Sequence, residues 1–392
     1  MTREYIDGAT AIARGAIDAG CTFFAGYPIT PATPILLHMV RELPKVGGIA
    51  IEAEDEIAAI SMCISATFGG ARAMTATSGP GISLYSENIG LAIMTESPLV
   101  IVDVQRMGPA TGGATTGSQG DIQFLRWGTS GGYPLIVLAP SSVAESYTLT
   151  MRAFDLAERF RVPVILATDK EMVASMATVD IREYERVPVR DRVLAPPAPP
   201  GYRDPRWRPE ETFLPWDFDP VDAVPPMAHY GGPHILRVTT SSHDEHGFLT
   251  KDPVKVGRLN EHLWRKVMDH REETEFGRVN GGEDAETLLI AYGTPARAMR
   301  EAASRAREQG AKVRDLTLHT LWPIPESLIL RSARGVRRIV VGELNIGQYT
   351  REIERLVYRE SALQGTPPPE ILGIHRVDGE QITPEQFIDL IL

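Results

Sequence analysis

The sequence has 392 residues, of which 43% are hydrophobic, so two or three domains with sizeable buried cores are expected. The formal net charge of −11 argues against a surface for nucleic acid or for an anionic membrane. The two cysteines, Cys21 and Cys63, are too few for a disulfide framework, a metal cage or an iron–sulfur cluster, which needs about four thiolates. The amino terminus is polar and does not resemble a secretory signal. No apolar run approaches the roughly 20 residues of a membrane helix, so we expect a cytoplasmic protein.

Residues 1–178 are predicted to form an α/β domain built on a doubly wound parallel sheet. Short apolar segments, typical of buried parallel strands, alternate here with helical patterns. The predicted strands are 23–26, 48–51, 72–77, 99–104, 134–138 and 162–167. The predicted helices are 8–20, 33–43, 55–69, 81–95 and 142–160. Ser142 is expected to cap the last of these helices, with Glu145 three residues later completing a capping box.

The segment at residues 26–31, with the sequence GYPITP, follows the first predicted strand. Its two prolines restrict the backbone on both sides of Thr30. Open α/β sheets bind ligands at the carboxyl ends of their strands, so this turn is a candidate binding element, although an ordinary strand-to-helix turn is the alternative. Thr33 is expected to cap the next helix, with Pro34 as its first residue.

Four acidic residues lie within residues 52–56, where a strand passes into a helix. Acidic residues are favourable at a helix start, so a solvated helix terminus is the alternative interpretation for all of them. Glu56 differs from its neighbours Glu54 and Asp55 because alanines follow at positions 58 and 59 and leave room for a planar ring or another subunit. Glu56 is therefore the preferred candidate for a buried acid–base role.

Residues 179–284 interrupt the alternation of strands and helices. A proline-rich run at 196–200 and the prolines at 209, 215 and 220 exclude regular helix. Three aromatic residues, Trp207, Phe213 and Trp216, favour an extended strap packed on a surface over a free linker. Residues 253–276 return to a strongly charged helical pattern.

Residues 285–392 are predicted to form a second, smaller α/β domain. The predicted strands are 287–292, 312–316, 338–341 and 371–374, and the predicted helices are 295–308, 326–333 and 348–358. The run GELNIGQ at residues 342–348 follows one of these strands. We interpret it as loop or interface structure without a catalytic role.

Four other features were considered as a phosphate-binding loop, a lid, a metal site and a dinucleotide-binding motif. Residues 78–81, SGPG, lack the lysine of a phosphate-binding P-loop and are interpreted as a tight turn. The glycine- and hydroxyl-rich residues 111–118 could form a flexible lid. His243 and His246 lie three residues apart without a further ligand, so a polar loop is preferred to a metal site. No G-x-G-x-x-G follows the first strand, which argues against a nucleotide-binding dehydrogenase.

Five motifs in the same order resemble those of the α subunits of 2-oxoacid:ferredoxin oxidoreductases, most like the 2-oxoglutarate branch. The resemblance covers the whole chain and is densest over residues 8–178. The motifs lie at residues 27–31, 54–59, 73–81, 104–109 and 117–121.

The resemblance implies a thiamine diphosphate enzyme whose α subunit carries a pyrimidine-binding domain and a transketolase-C-terminal-like domain. It implies that a β subunit supplies the diphosphate-binding domain, Mg²⁺ and a [4Fe–4S] cluster. The absence of a Gly-Asp-Gly magnesium motif and the cysteine count agree with that division. The chain is therefore expected to be inactive alone, and a γ subunit, where present, is a separate polypeptide.

The resemblance also assigns the residues around the cofactor. Glu56 matches the family's glutamate that hydrogen-bonds N1′ of the aminopyrimidine and so promotes loss of the thiazolium C2 proton. Pro28 and Thr30 would lie at the pyrimidine pocket. Gly79 would allow close approach of the cofactor ring.

For the substrate, the resemblance assigns Thr30, Arg106 and Thr115. The Arg106 guanidinium can hold the C1 carboxylate of a 2-oxoacid with two parallel hydrogen bonds, although a surface salt bridge is the alternative. Thr30 can donate to the carboxylate or the keto oxygen. Thr115 would help to read the substrate tail, but residues 113–114 and Met107 depart from the common family pattern.

The implied reaction is the oxidative decarboxylation of 2-oxoglutarate, with coenzyme A accepting the acyl group and ferredoxin accepting two electrons. Its reverse is available with a low-potential donor. The same reaction on a branched-chain 2-oxoacid such as 2-oxoisovalerate is the nearest alternative. A non-catalytic scaffold subunit is a further alternative, and loss of activity on replacing Glu56 would exclude it.

Overall fold

A computed structural model describes residues 3–180, 184–197 and 213–391. Trp207 and the prolines at 199, 200 and 209 therefore lie outside the described residues. No helix in these three ranges combines the length and the apolar character needed to cross a membrane.

The first part of the chain alternates strands and helices, as predicted. Its elements in chain order are β1 Arg3–Asp7, α1 Gly8–Asp18, β2 Phe23–Gly26, α2 Thr33–Glu42, β3 Ile49–Glu52, α3 Glu56–Phe68, β4 Ala73–Thr77, α4 Gly79–Leu84, α5 Ser86–Met94, β5 Leu99–Gln105, α6 Ile122–Trp127, β6 Ile136–Leu138, α7 Val143–Phe160, β7 Pro163–Asp169, α8 Lys170–Ala174 and β8 Met176–Asp180.

The later part contains one long connecting helix and a second set of strands and helices. These elements are α9 Pro253–Met268, β9 Gly277–Asn280, β10 Thr287–Ala291, α10 Pro295–Glu308, β11 Val313–Leu318, β12 Thr320–Trp322, α11 Glu326–Ser332, β13 Arg338–Glu343, α12 Thr350–Gln364, β14 Glu370–His375 and α13 Pro384–Ile388.

The larger sheet has seven strands in the order β12-β6-β7-β5-β4-β2-β3. All pairs are parallel except β12 with β6. Helices cover both faces, and every residue of β5 and β7 is buried, as expected of a doubly wound sheet. The antiparallel β12 comes from the second part of the chain and was not predicted.

The smaller sheet has five strands in the order β14-β13-β10-β11-β9. The pairs β10–β11, β10–β13 and β13–β14 are parallel, and β9 lies antiparallel on the edge beside β11. A separate antiparallel pair joins β1 to β8. Two α/β sheets therefore organise the chain.

Polar side chains cap several helices of the first part. Asp7 accepts a hydrogen bond from Thr10 N at 2.7 Å at the start of α1, and Ser142 accepts one from Glu145 N at 3.2 Å at the start of α7, as predicted. The Glu145 carboxylate accepts instead from Ser141 N at 2.8 Å, so the predicted capping box is shifted by one residue.

The predicted capping role of Thr33 is wrong. Ala32 already has helical dihedral angles, φ −78° and ψ −19°, so Thr33 is the first residue of α2 and makes no cap hydrogen bond. The predicted helix at 81–95 is two helices, α4 and α5, which meet at Tyr85.

Buried charges hold α9 against the first part of the chain. Glu96 Oε2 accepts a hydrogen bond from Lys266 Nζ at 2.8 Å and lies 3.0 Å from Nε2 of His262. All three side chains are at most 1% exposed. Lys266 holds the pKa of Glu96 well below its usual value despite the burial that opposes it. Phe218 stacks on His262 with ring centroids 3.8 Å apart, which also ties the preceding segment to α9.

Candidate active site

The predicted site residues lie at one edge of the larger sheet. Strands β5, β4, β2 and β3 are adjacent and parallel, so their carboxyl ends share this edge. Each strand is followed there by one of the candidate segments, namely Arg106, residues 78–81, residues 27–31 and residues 53–56. This is the edge at which open α/β sheets bind ligands.

Glu56 is the first residue of α3, and its neighbour Asp55 caps that helix by accepting from Ala58 N at 2.7 Å. Glu56 is only 7% exposed, whereas Glu54 and Asp55 are exposed. Within the described residues its carboxylate makes no hydrogen bond or ion pair. Glu56 is therefore a buried carboxylate with free acceptor oxygens.

Gly81 leaves the space that the Glu56 carboxylate occupies. A Cβ atom at Gly81 would lie 3.1 Å from Glu56 Oε1, 2.8 Å from Glu56 Cγ and only 1.9 Å from Thr77 Oγ1. Any side chain at this position would collide with both residues. The SGPG turn after β4 is thus a close-approach element beside the acid, and it begins α4.

Arg106 is buried, with 6% of its surface exposed, and connects two loops. Its Nη1 donates to the Thr30 carbonyl at 2.5 Å, and its Nη2 donates to the Thr111 carbonyl at 3.0 Å. Its Nε is buried and has no hydrogen-bond partner among the described residues. Arg106 therefore brings the turn at 27–31 and the loop after β5 together, and does not lie in an exposed ion pair.

Gly79 lies next to the same loop. A Cβ atom at Gly79 would lie 3.1 Å from the Ala110 carbonyl oxygen and 3.9 Å from Arg106 Cγ. The loop folds back on itself, with Met107 N donating to the Thr116 carbonyl at 2.9 Å. The glycine-rich loop thus contacts the turn after β4 through Ala110, while residues 108–112 remain exposed.

Three predicted residues have exposed side chains. Pro28, Thr30 and Thr115 are exposed, and the hydroxyls of the two threonines make no hydrogen bond among the described residues. Thr30 joins the cluster through its backbone carbonyl, which accepts from Arg106. The structure therefore brings Glu56, Gly79, Arg106 and the Thr30 backbone to one edge and leaves the other positions on the open side.

A buried pair of carboxyl groups beside Arg106 was missed in the sequence. Burial and the neighbouring Asp121 carboxyl raise the pKa of Asp103 well above its usual value. Burial raises the pKa of Asp121 to about 6, although Arg106 opposes that rise. Asp103 follows the apolar run 99–102 inside the buried strand β5, and this acid within a buried strand was the available signal.

Replacing Asp103 by asparagine should stabilise the protein at alkaline pH and leave it unchanged in acid. Because both folded pKa values are raised, the folded state binds more protons than the unfolded state, so stability falls as pH rises through these folded pKa values, of which that of Asp121 is about 6. Asp103→Asn removes the share of this loss that belongs to Asp103, so the variant should melt above the wild type at high pH. Melting temperatures across pH measure it, with the exposed Asp284→Asn as control. A variant that melts with the wild type at every pH would contradict the expectation.

The residues at this edge fit the pyrimidine end of thiamine diphosphate. A buried carboxylate with free oxygens can bond a ring nitrogen, and Gly81 leaves the space that this carboxylate occupies. The hydroxyl of Ser78 is buried without a partner among the described residues and offers a further polar contact. Within the same residues, no group of three or more histidine, cysteine or acidic side chains is placed to hold a metal ion.

Two family models match the chain. Residues 14–261 match the model described as pyruvate flavodoxin/ferredoxin oxidoreductase, thiamine diphosphate-binding. Residues 285–387 match pyruvate:ferredoxin oxidoreductase core domain II. The predicted fold class, a thiamine-diphosphate-binding α/β domain and a smaller α/β domain, is confirmed by these matches together with the two observed sheets.

Individual relatives agree with the family models. The 2-oxoglutarate synthase subunit KorA of Methanothermobacter thermautotrophicus is 42% identical over 100% of this chain and 99% of its own length. The ketoisovalerate oxidoreductase subunit VorB of the same organism is 36% identical over 90% of this chain and 89% of its own.

A solved structure, 2-oxoglutarate:ferredoxin oxidoreductase from Magnetococcus marinus with 2-oxoglutarate, coenzyme A and succinyl-CoA bound, matches with a TM-score of 0.87 at 30% identity. The match covers 100% of this chain and 65% of that chain. The chain therefore belongs to the 2-oxoacid:ferredoxin oxidoreductase family, in which it corresponds over its whole length to the α subunit.

Proposed function

We propose that this chain is the α subunit of a thiamine-diphosphate-dependent enzyme that converts 2-oxoglutarate and coenzyme A to succinyl-CoA and CO₂ while reducing ferredoxin, a reaction that can also run in reverse. The observation that carries the proposal is the buried Glu56 carboxylate with free oxygens beside Gly81. The 42% identity to a 2-oxoglutarate synthase subunit and the ligands named for the Magnetococcus structure support the choice of substrate.

Glu56 is proposed to hold the proton at N1′ of the aminopyrimidine. Thiamine diphosphate supplies the carbanion chemistry at the keto carbon when it is bound. Because Glu56 is buried and bonded to nothing else among the described residues, its carboxyl is free to share that proton with a ring nitrogen. Gly79 is proposed to allow close approach of the ring, while Gly81 leaves the space that the Glu56 carboxylate occupies.

Arg106 is proposed to orient the C1 carboxylate of the 2-oxoacid, with Thr30 beside it. Arg106 already donates to the Thr30 and Thr111 carbonyls, so its guanidinium plane is fixed before substrate arrives. A fixed guanidinium can orient a carboxylate with charge-assisted hydrogen bonds. Since this carboxylate leaves as CO₂, the contact should position it without stabilising the bound acid excessively. Thr115, on the exposed side of the loop, is proposed to face the substrate tail.

The rest of the active site is proposed to come from other polypeptides. A β subunit would hold the diphosphate, Mg²⁺ and the [4Fe–4S] cluster, because Cys21 and Cys63 are both buried and the chain has no Gly-Asp-Gly. Apolar side chains remain exposed near the site and would form part of the contact with that subunit: Tyr27, Ile57, Met62 and Leu84. A separate γ subunit and ferredoxin are further proposed partners, and unpaired cysteines suit the reducing cytoplasm.

Three domains are proposed for the chain. They are the pyrimidine-binding domain at 1–178, the connecting strap and helix at 179–284, and the transketolase-C-terminal-like domain at 285–392. The buried Trp216 and the stacking of Phe218 on His262 support a packed strap.

A substrate panel tests the proposed function. The complex assembled from the α subunit and its partner subunits should reduce ferredoxin with 2-oxoglutarate and coenzyme A much faster than with 2-oxoisovalerate or pyruvate. The branched-chain alternative is kept because the chain is also 36% identical to a ketoisovalerate oxidoreductase subunit. Turnover of 2-oxoisovalerate without turnover of 2-oxoglutarate would select that alternative, and no turnover of any 2-oxoacid would contradict the proposal.

A further inference from the structure

A buried carboxylate organises the loop that follows strand β13. Glu343, which is fully buried, accepts hydrogen bonds from Tyr292 Oη at 2.9 Å, Tyr349 N at 3.0 Å and Thr350 N at 2.9 Å. The Thr350 hydroxyl donates to it as well, at 2.7 Å. A carboxylate with its acceptor sites so fully used fixes the surrounding backbone. The bonds to Tyr349 and Thr350 therefore tie together the two ends of the loop at residues 344–348.

This loop is bonded to the backbone of residues 118–120 in the first part of the chain. The Leu344 carbonyl accepts from Gln119 N at 2.8 Å and from Ser118 Oγ at 2.9 Å. Asn345 Nδ2 donates to the Gln119 carbonyl at 2.9 Å, and Gln348 Nε2 donates to the Gly120 carbonyl at 2.6 Å. Each of three consecutive residues is thus held by the second α/β unit.

Residues 118–120 lie at the end of the loop that begins at Arg106. The Asp121 carboxyl, the next along the chain, lies in the field of the Arg106 guanidinium. The second α/β unit also touches the loop directly, because a Cβ atom at Gly379 would lie 2.3 Å from Thr116 Cγ2. Residues of the second unit therefore contact the loop that begins at Arg106 at Thr116 and at residues 118–120.

We call the hydrogen bonds that join Leu344, Asn345 and Gln348 to residues 118–120 the clamp. Asn345 is the member of the clamp whose side chain uses both its donor and its acceptor atoms. Its Nδ2 donates to the Gln119 carbonyl and to Tyr292 Oη, each at 2.9 Å. Its Oδ1 accepts from Gly347 N at 2.9 Å and from Gln348 N at 2.8 Å. The Tyr292 hydroxyl donates onward to Glu343, so the direction of every hydrogen bond is fixed. An aspartate would place an oxygen against the Gln119 carbonyl with no proton between them.

We propose that Asn345 is a positioning residue that holds residues 107–121 in register, so that Arg106 lies where it can orient the carboxylate of the 2-oxoacid. The inference rests on the proposed function for the role of Arg106. The run at 342–348 therefore acts on substrate binding from the second α/β unit, without touching the substrate. The second α/β unit thus helps to position the substrate-binding loop, a role that its fold alone does not indicate.

The test compares Asn345→Asp with wild type in the assembled complex. KM for the 2-oxoacid should rise at least about tenfold, which corresponds to ~1.4 kcal/mol. KM for coenzyme A and the affinity for thiamine diphosphate should stay within about twofold of wild type. Hydrogen exchange should accelerate at the amides of Met107 and Gly113, which bond within the loop. Exchange does not depend on turnover, so it tests the clamp even if no 2-oxoacid is a substrate.

Arg300→Ala is the matched control, because Arg300 Nη1 donates to Ser141 Oγ at 2.9 Å across the same two units but contacts no part of the loop. It should leave KM and the loop amides unchanged. Gln348→Glu provides a second test if Asn345→Asp does not fold, since it removes the donor to the Gly120 carbonyl at constant size. The proposal is overturned if a folded clamp variant keeps wild-type KM and exchange, or if Arg300→Ala produces the same changes. A wild-type complex inactive on every 2-oxoacid would refute the proposed function instead.

Discussion

The Glu56→Gln variant should lower kcat of the assembled complex by about two to four orders of magnitude, the range that a positioned acid–base group contributes. Glutamine fits the same buried position and can still form a hydrogen bond, but it cannot share a proton with the ring nitrogen of the cofactor. Binding of thiamine diphosphate should therefore change far less than kcat. Steady-state kinetics and a separate binding titration on the complex measure the two quantities.

Glu54→Gln is the matched control for this prediction. Glu54 lies two residues earlier in the same acidic run but is exposed, so its replacement should leave kcat within about twofold of wild type. If Glu56→Gln kept wild-type turnover, the acid–base role of Glu56 would be wrong and the scaffold alternative would be favoured. If both variants lost activity equally, the effect would belong to the acidic run as a whole.

The second large effect is expected for Arg106→Lys. A lysine keeps the charge, but one ammonium group cannot reproduce the planar fork that reaches both the Thr30 and the Thr111 carbonyls. We expect kcat/KM for the 2-oxoacid to fall about a hundredfold, because charge-assisted hydrogen bonds contribute ~1.5–3 kcal/mol each. Most of the fall should appear in KM, since the interaction with the carboxylate exists before decarboxylation.

Kinetics with varied 2-oxoacid and with varied coenzyme A separate this effect from general damage. Arg41→Lys, an equivalent change on the exposed face of α2, should leave both parameters unchanged. A fall in kcat with KM unchanged would place Arg106 in the chemical step and not in substrate orientation. Wild-type values for both parameters would remove Arg106 from the site.

Local sequence patterns were sufficient for most of the fold. Strands β5 and β7 begin with the apolar runs 99–102 and 163–167, and runs of this kind indicate buried parallel strands. The helix start at Thr33 was predicted correctly, but the capping role of Thr33 was wrong because the backbone of Ala32 is already helical, and the sequence alone does not reveal that dihedral angle. Capping of this kind depends on the turn before the helix.

Long-range pairings account for what the sequence did not predict. Strand β12 has three residues and joins the larger sheet through Thr320 and Leu138, which are far apart in the chain. Nothing in a run of three residues specifies such a partner. The effect of the Asp121 carboxyl on the pKa of Asp103 and the clamp on residues 118–120 depend in the same way on contacts between distant segments.

For the candidate site, too, local motifs were predicted from the sequence and contacts between distant segments were not. Motifs at the ends of parallel strands predicted that the segments bearing Glu56, Gly79, Arg106 and Thr30 lie at one edge of the sheet, because parallel strands share their carboxyl edge. The sequence could not predict that Arg106 donates to the Thr30 backbone or that Gly81 makes room for Glu56. Their roles toward cofactor and substrate stay predictions.

A density map of the assembled complex with thiamine diphosphate bound tests the central claim most directly. We expect a Glu56 carboxylate oxygen within hydrogen-bonding distance, about 2.6–3.2 Å, of N1′ of the aminopyrimidine, with the diphosphate held by another polypeptide. A ring bound elsewhere, or one whose N1′ faces no acidic side chain of this chain, would contradict the account.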